Sequence, residues 1–224
     1  MKMSFAPALI LFTGAFIIVA SGCETNEQNK VAEAQQCLDR LSDSATAADA
    51  QPCLNFISGI TSPSAYVIRC SVDFLAAGIN PTQLIAAFQA MKTQSSAQQT
   101  ATLMGALAES AVAPLTALQT AQATLNDCVS SETPSLIYLA GVSVTGTALV
   151  VGGGSATPAT FIANCQATPA SCSPDVIGSA AVTLASSYCT GSNVTSEVCI
   201  TINSAVAAGG STTAIGDALI ASLH

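Results

Sequence analysis

The chain has 224 residues; half are hydrophobic, 8% are charged and 4% are aromatic, with five Lys and Arg against thirteen Asp and Glu. So much apolar material with so little charge excludes a long disordered chain, and an acidic chain with scattered cations excludes a phosphate-binding surface for nucleic acid. Nine cysteines are an odd set for an exported protein and leave one thiol to be explained. In chain order, Met1-Lys2-Met3 is a short positive start, and Ala6 to Ala20 is an uncharged apolar run. Ala20-Ser21-Gly22-Cys23 follows, and then the polar stretch from Glu24 to Lys30. These are the parts of an export signal. The apolar run is short of the roughly 20 residues that a membrane-spanning helix needs. The expected organisation is a leader at 1–22, a tether at 23–29, an N-terminal helical half at 30–130 and a C-terminal helical half at 131–224. A boundary near 130 or near 154 stays open.

From residue 30 the turn signals predict helices. Ser62-Pro63, Asn80-Pro81, Thr133-Pro134, Thr157-Pro158, Thr168-Pro169 and Ser173-Pro174 each pair a capping side chain with a proline suited to the first helical position. Gly59-Ile60 and Gly78-Ile79 are matching stops, with glycine in the left-handed cap. Between these marks the apolar spacing is helical: Val31/Ala34/Leu38/Leu41, Tyr66/Cys70/Phe74, Leu84/Phe88/Met91 with Ile85, and a long stripe from Leu103 to Leu125. Pro114 interrupts the last stripe and predicts a kink or a break. Leu136 to Val151 is uncharged and rich in Val and Thr. It reads best as a buried central helix, with strands or a membrane-contacting segment as alternatives. Gly152-Gly153-Gly154-Ser155 reads as a linker, and 157–166, 174–188, 195–208 and 213–223 as short helices. The expected fold is all-α: a disulfide-stapled bundle of short antiparallel helical hairpins.

Val19 to Cys23 resembles the bacterial lipobox, in which small residues lead into an obligatory cysteine; Ala20 stands where that motif more often has Leu. The resemblance implies cleavage before Cys23 and a diacylglycerol thioether on its sulfur, with palmitate or a similar acyl chain holding the mature protein to a membrane. It also implies an address. Glu24 is not the Asp that favours inner-membrane retention in the enteric pattern, which leans toward the outer membrane.

Lipidation of Cys23 leaves an even set: Cys37, Cys53, Cys70, Cys128, Cys165, Cys172, Cys189 and Cys199. Such a set persists as disulfides in an oxidising compartment. Cys37 and Cys53 are symmetric about a turn near residue 45, but Cys53 and Cys70 are symmetric about the 59–63 turn, so spacing alone does not choose between them. The working assignment is Cys37–Cys53, Cys70–Cys128, Cys165–Cys172 and Cys189–Cys199. No C-x-x-C pair occurs, and the single histidine is His224. No zinc site or other metal or cofactor site is therefore expected.

Catalytic constellations are also missing from the sequence. Ser-His-Asp or Cys-His chemistry needs an imidazole beside the nucleophile, and His224 is the last residue. Lys30 and Lys92, the candidates for Ser-Lys chemistry, fall on polar helix faces. The acids look dispersed, with Asp39 and Asp43 a solvated turn apart and no two-carboxylate site expected. Gly152–Ser155 lacks the lysine of a phosphate loop. The expectation is a non-enzymatic envelope lipoprotein, a structural or protein-interaction module. Its partners would be a membrane, through lipid on Cys23, and a neighbouring envelope protein. The alternatives are a carrier with an apolar cavity between helices, and a membrane-active protein using 136–151.

Overall fold

A computed structural model describes residues 25–42, 45–79, 82, 84–86, 89, 96–109, 114–154 and 158–223, and among these there is no strand. Helix α1 spans Asn26–Asp39. Thr25 starts it with a reciprocal cap: Thr25 Oγ1 accepts from the Gln28 N–H at 3.3 Å, and Gln28 Oε1 accepts from the Thr25 N–H at 3.0 Å. This corrects the expected tether at 23–29. Residues 26–29 are already helical, because the cap satisfies N–H groups that a loose leash would leave to water.

α2 (Ala47–Ala50) runs into a 3-10 turn at Gln51–Ile57, and α3 (Pro63–Ala76) packs back over both this turn and α1. Ala34, Ile57, Ala65 and Ile68 form a small core there. α3 stops as its sequence requires. Gly78 takes φ +81°, its N–H donates to the Leu75 carbonyl, and the Ile79 N–H reaches back to the Phe74 carbonyl at 2.8 Å. The Asn80-Pro81 start lies outside the described residues, as do Phe88 and Met91.

α4 (Ser96–Leu107) and α5 (Pro114–Ser130) divide the long apolar stripe. Pro114 is the first residue of α5, so the interruption is a break and not a kink. α6 (Pro134–Gly153) is the central helix, which removes the strand alternative for 136–151. α4, α5, α7 and α8 all pack on it, where α7 is Pro158–Ala167 and α8 is Pro174–Ser187. A 3-10 turn at Pro169–Cys172 joins α7 to α8; a second, Gly191–Thr195, leads into α9 (Glu197–Ala208), and α10 (Thr212–Ser222) closes the fold.

Among the described residues, α3, α5, α6, α7 and α8 begin on proline, and where Ser or Thr precedes it that side chain does less than expected. Ser62, Thr133 and Ser173 make no side-chain cap bond. Thr133 Oγ1 donates to the Ser131 carbonyl instead, and Ser173 is turned away by its φ of +50°. Proline starts these helices by fixing φ. The working hydroxyl caps are Thr25, Ser196 and Ser211, none of them followed by proline.

The supposed linker is also corrected. Gly152 and Gly153 are the last residues of α6, and only Gly154, at φ +64°, ends it. The glycines of α6 are contact points. A Cβ on Gly146 would strike the Met104 carbonyl of α4, one on Gly152 the backbone at Ser171–Cys172, and one on Gly153 the backbone of Phe161 on α7. Glycine weakens an isolated helix by about 1 kcal/mol per residue; here it lets backbones approach and brings burial in return. Ile137, Val144 and Leu149 are buried on this helix, each such side chain contributing about 1.5–3 kcal/mol.

α8 and α10 repeat a pattern, Val176-Ile177-Gly178-Ser179-Ala180 and Ala214-Ile215-Gly216-Asp217-Ala218. They cross with backbones touching. Gly178 lies on the Thr212 carbonyl, and Gly216 lies on the Pro174 carbonyl. Each carbonyl sits four residues before the opposite glycine, so the contact is reciprocal. The main core runs from Cys70 and Phe74 on α3 to Ile202 on α9 and Ile215 on α10. Residues before and after 130 therefore share one core.

Candidate functional site

Four disulfides join Cys37–Cys53, Cys70–Cys128, Cys165–Cys172 and Cys189–Cys199, with Cα–Cα separations of 5.5, 4.9, 5.6 and 5.2 Å. The competing 53–70 pair is not formed. Every one of these cysteines except the half-buried Cys37 is buried. Cys23, Asp43, Lys92 and His224 lie outside the described residues. Lys30 is exposed on α1, and Asp39 accepts from Gln35 Nε2 at 2.7 Å. Among the described residues, no three His, Cys, Asp or Glu side chains are placed to share a metal ion.

The expectation of dispersed acids is wrong in one place. The Cys70–Cys128 bridge clamps α3 to α5, and Asp73 lies one turn beyond Cys70 while Asp127 adjoins Cys128. The clamp brings the two carboxyls into hydrogen-bonding contact. Burial, then the charge and hydrogen bond of Asp127, push Asp73 up to about 7, and Arg69 opposes this only in part. Arg69 is committed elsewhere. Its guanidinium donates to the Ile57 carbonyl at 3.2 Å and the Ile60 carbonyl at 2.6 Å, and it sits 4.7 Å over the Tyr66 ring.

Glu109 joins from the chain just beyond α4. It is 5% exposed, and its N–H donates to Thr147 Oγ1 on α6 at 2.9 Å. Burial, then the charge of Asp73, raises its carboxyl to about 7. Its Oε1 and the Ser143 hydroxyl are buried without partners. Asp73 and Glu109, from distant parts of the chain, thus influence each other and hold protons near neutrality, with Glu109 tied to the central helix through Thr147. Acids tuned to that range suit proton transfer, but the contacts made here are to other protein groups. Sequence spacing alone did not show this site. The Cys70–Cys128 assignment carried the signal, since any bridge between two helices also juxtaposes residues one turn away.

A shallow, open cavity of about 370 Å³ lies where Gln166 and Pro169 face Asp217, Ile220 and Ala221 of α10. Gln166 Nε2 spans its edge, donating to the Ile220 and Leu223 carbonyls. Apart from this cavity, Tyr138 of α6 stacks on Tyr188 with ring centroids 4.7 Å apart.

No family model, no curated protein and no solved structure matches this chain.

Proposed function

We propose that the chain is an exported, lipid-anchored helical module that works by contacting a neighbour in the cell envelope and not by catalysis. One observation carries this. The four bridges consume every cysteine from Cys37 onward, and the ninth cysteine stands at the lipobox-like position. Four buried bridges favour an oxidising compartment, and a thioether on Cys23 accounts for the cysteine left over. Glu24 favours the outer membrane.

The packing favours this reading over the two alternatives. α6 is long and apolar enough for a membrane, but most of it is buried against its own bundle. The cavity beside α10 is open and partly polar, unlike the enclosed apolar pocket of a carrier. The carboxyl cluster has no neighbouring imidazole among the described residues. The test is metabolic labelling with radioactive palmitate. Wild-type protein is expected to carry label and to begin at Cys23, whereas Cys23→Ala is expected to carry none. An unlabelled wild-type chain that keeps Met1 overturns the proposal.

A further inference from the structure

We infer that the first turn and a half of α1, Asn26 to Lys30, is a rigid polar post that holds the body upright and close above the membrane carrying Cys23. This rests on the lipidation proposed above. Only Glu24 stands between Cys23 and the capping residue Thr25. An extended chain covers about 3.5 Å per residue, so the cap sits within about 7 Å of the anchored cysteine. From Asn26 onward the chain is helical, and a helix does not swing as a leash does.

The composition of these turns sets the direction. Asn26, Glu27, Gln28, Asn29 and Lys30 are all exposed and all polar. A helix that lies in a membrane surface needs an apolar face, and this segment has none. The apolar stripe starts at Val31 and Ala34, where the protein's own small core takes it. The far part of α1 is fixed to the body by Cys37–Cys53. Anchored at one end and clamped at the other, with no apolar face from Asn26 to Lys30 to lay it flat, α1 leaves the membrane along its axis. The surface that meets lipid headgroups is then the α1 end of the fold.

The chain contains no Trp, so a single introduced Trp is a unique reporter. Glu27→Trp and Arg40→Trp place it on exposed residues at opposite ends of α1, about 20 Å apart along the axis. The full acylated protein is reconstituted in phosphatidylethanolamine and phosphatidylglycerol vesicles that contain headgroup-spin-labelled lipid. Expected is loss of most emission at position 27 and little at position 40. An insertion of about fifteen Gly and Ser residues between Glu24 and Thr25 should restore emission at 27. Equal quenching at both positions, or no response to the insertion, overturns the post. Palmitate labelling of the same samples separates the two failures. A labelled sample with equal quenching defeats the post alone, and an unlabelled one defeats the anchor on which it stands.

Discussion

Replacing Asp73 by Asn should make the protein more stable at alkaline pH and leave it nearly unchanged at acid pH. The folded protein holds Asp73 at about 7 and Glu109 at about 7, against 3.8 and 4.5 for the free groups. Between those limits the folded state keeps protons that the unfolded chain has released. Stability from these groups is therefore full below about pH 4 and is lost as the pH rises through about 7. For Asp73 alone the rise corresponds to about 4 kcal/mol if water were wholly excluded. Asp73 is only half-buried, and solvent screening reduces this to roughly 2 kcal/mol. Asn keeps the volume and can donate to the Asp127 carboxylate, without a charge to bury. Urea unfolding of the oxidised protein at about pH 4 and about pH 8 reads the difference, because urea adds no ions to screen the cluster. Wild type should lose stability between the two, and Asp73→Asn should lose markedly less. A wild type equally stable at both, or a variant with the same loss as wild type, refutes the reasoning.

Gly178→Ala should destabilise by about 2 kcal/mol, since the added methyl drives α8 off the Thr212 carbonyl and overpacking of this kind costs about 1–3 kcal/mol. Gly210→Ala meets nothing within 4 Å and should leave the thermal midpoint unchanged or slightly raised. Removing Cys70–Cys128 opens a separation of 58 residues and should cost about 4 kcal/mol, whereas Cys165–Cys172, with a separation of 7, should cost about 2.5 kcal/mol. Double Ser variants compared by urea midpoint test that order. Thr147→Val leaves the Glu109 N–H buried without its acceptor and should cost about 1–3 kcal/mol. Hydrogen exchange at the Glu109 amide should accelerate, and unchanged protection would show that the Thr147 bond does not hold that turn.

Proline starts and glycine stops were readable before any coordinates because they are local. Gly78 needs a positive φ, whereas Pro63, Pro134 and Pro174 fix φ at the negative, helical value, and each acts within a few residues. The all-helical class followed from them, but the turns alone did not choose between Cys37–Cys53 and Cys53–Cys70, and Cys70–Cys128 was the pair left over. What was not readable depends on neighbours. Gly152 and Gly153 look like a flexible joint until Ser171 and Cys172 of the 3-10 turn and the helix bearing Phe161 are seen pressing on them. Residues 26–29 look like a leash because polarity was weighed and the Thr25–Gln28 cap was not. Asp73 and Asp127 lie 54 positions apart in the chain, so no window of sequence contains both.

The buried central helix also matters before the fold exists. If the chain is exported as proposed, α6 has no bundle around it during passage through a translocation channel, and by length and composition it is able to lodge in the bilayer as a stop-transfer segment. Gly141, Gly146, Gly152 and Gly153, with Ser143, Thr145 and Thr147, make it a poor candidate for lodging, since small and hydroxyl residues insert less readily than Leu or Ile. On that route the glycines that let neighbouring helices press close in the finished protein would also help keep the nascent chain moving toward the compartment where its bridges can close.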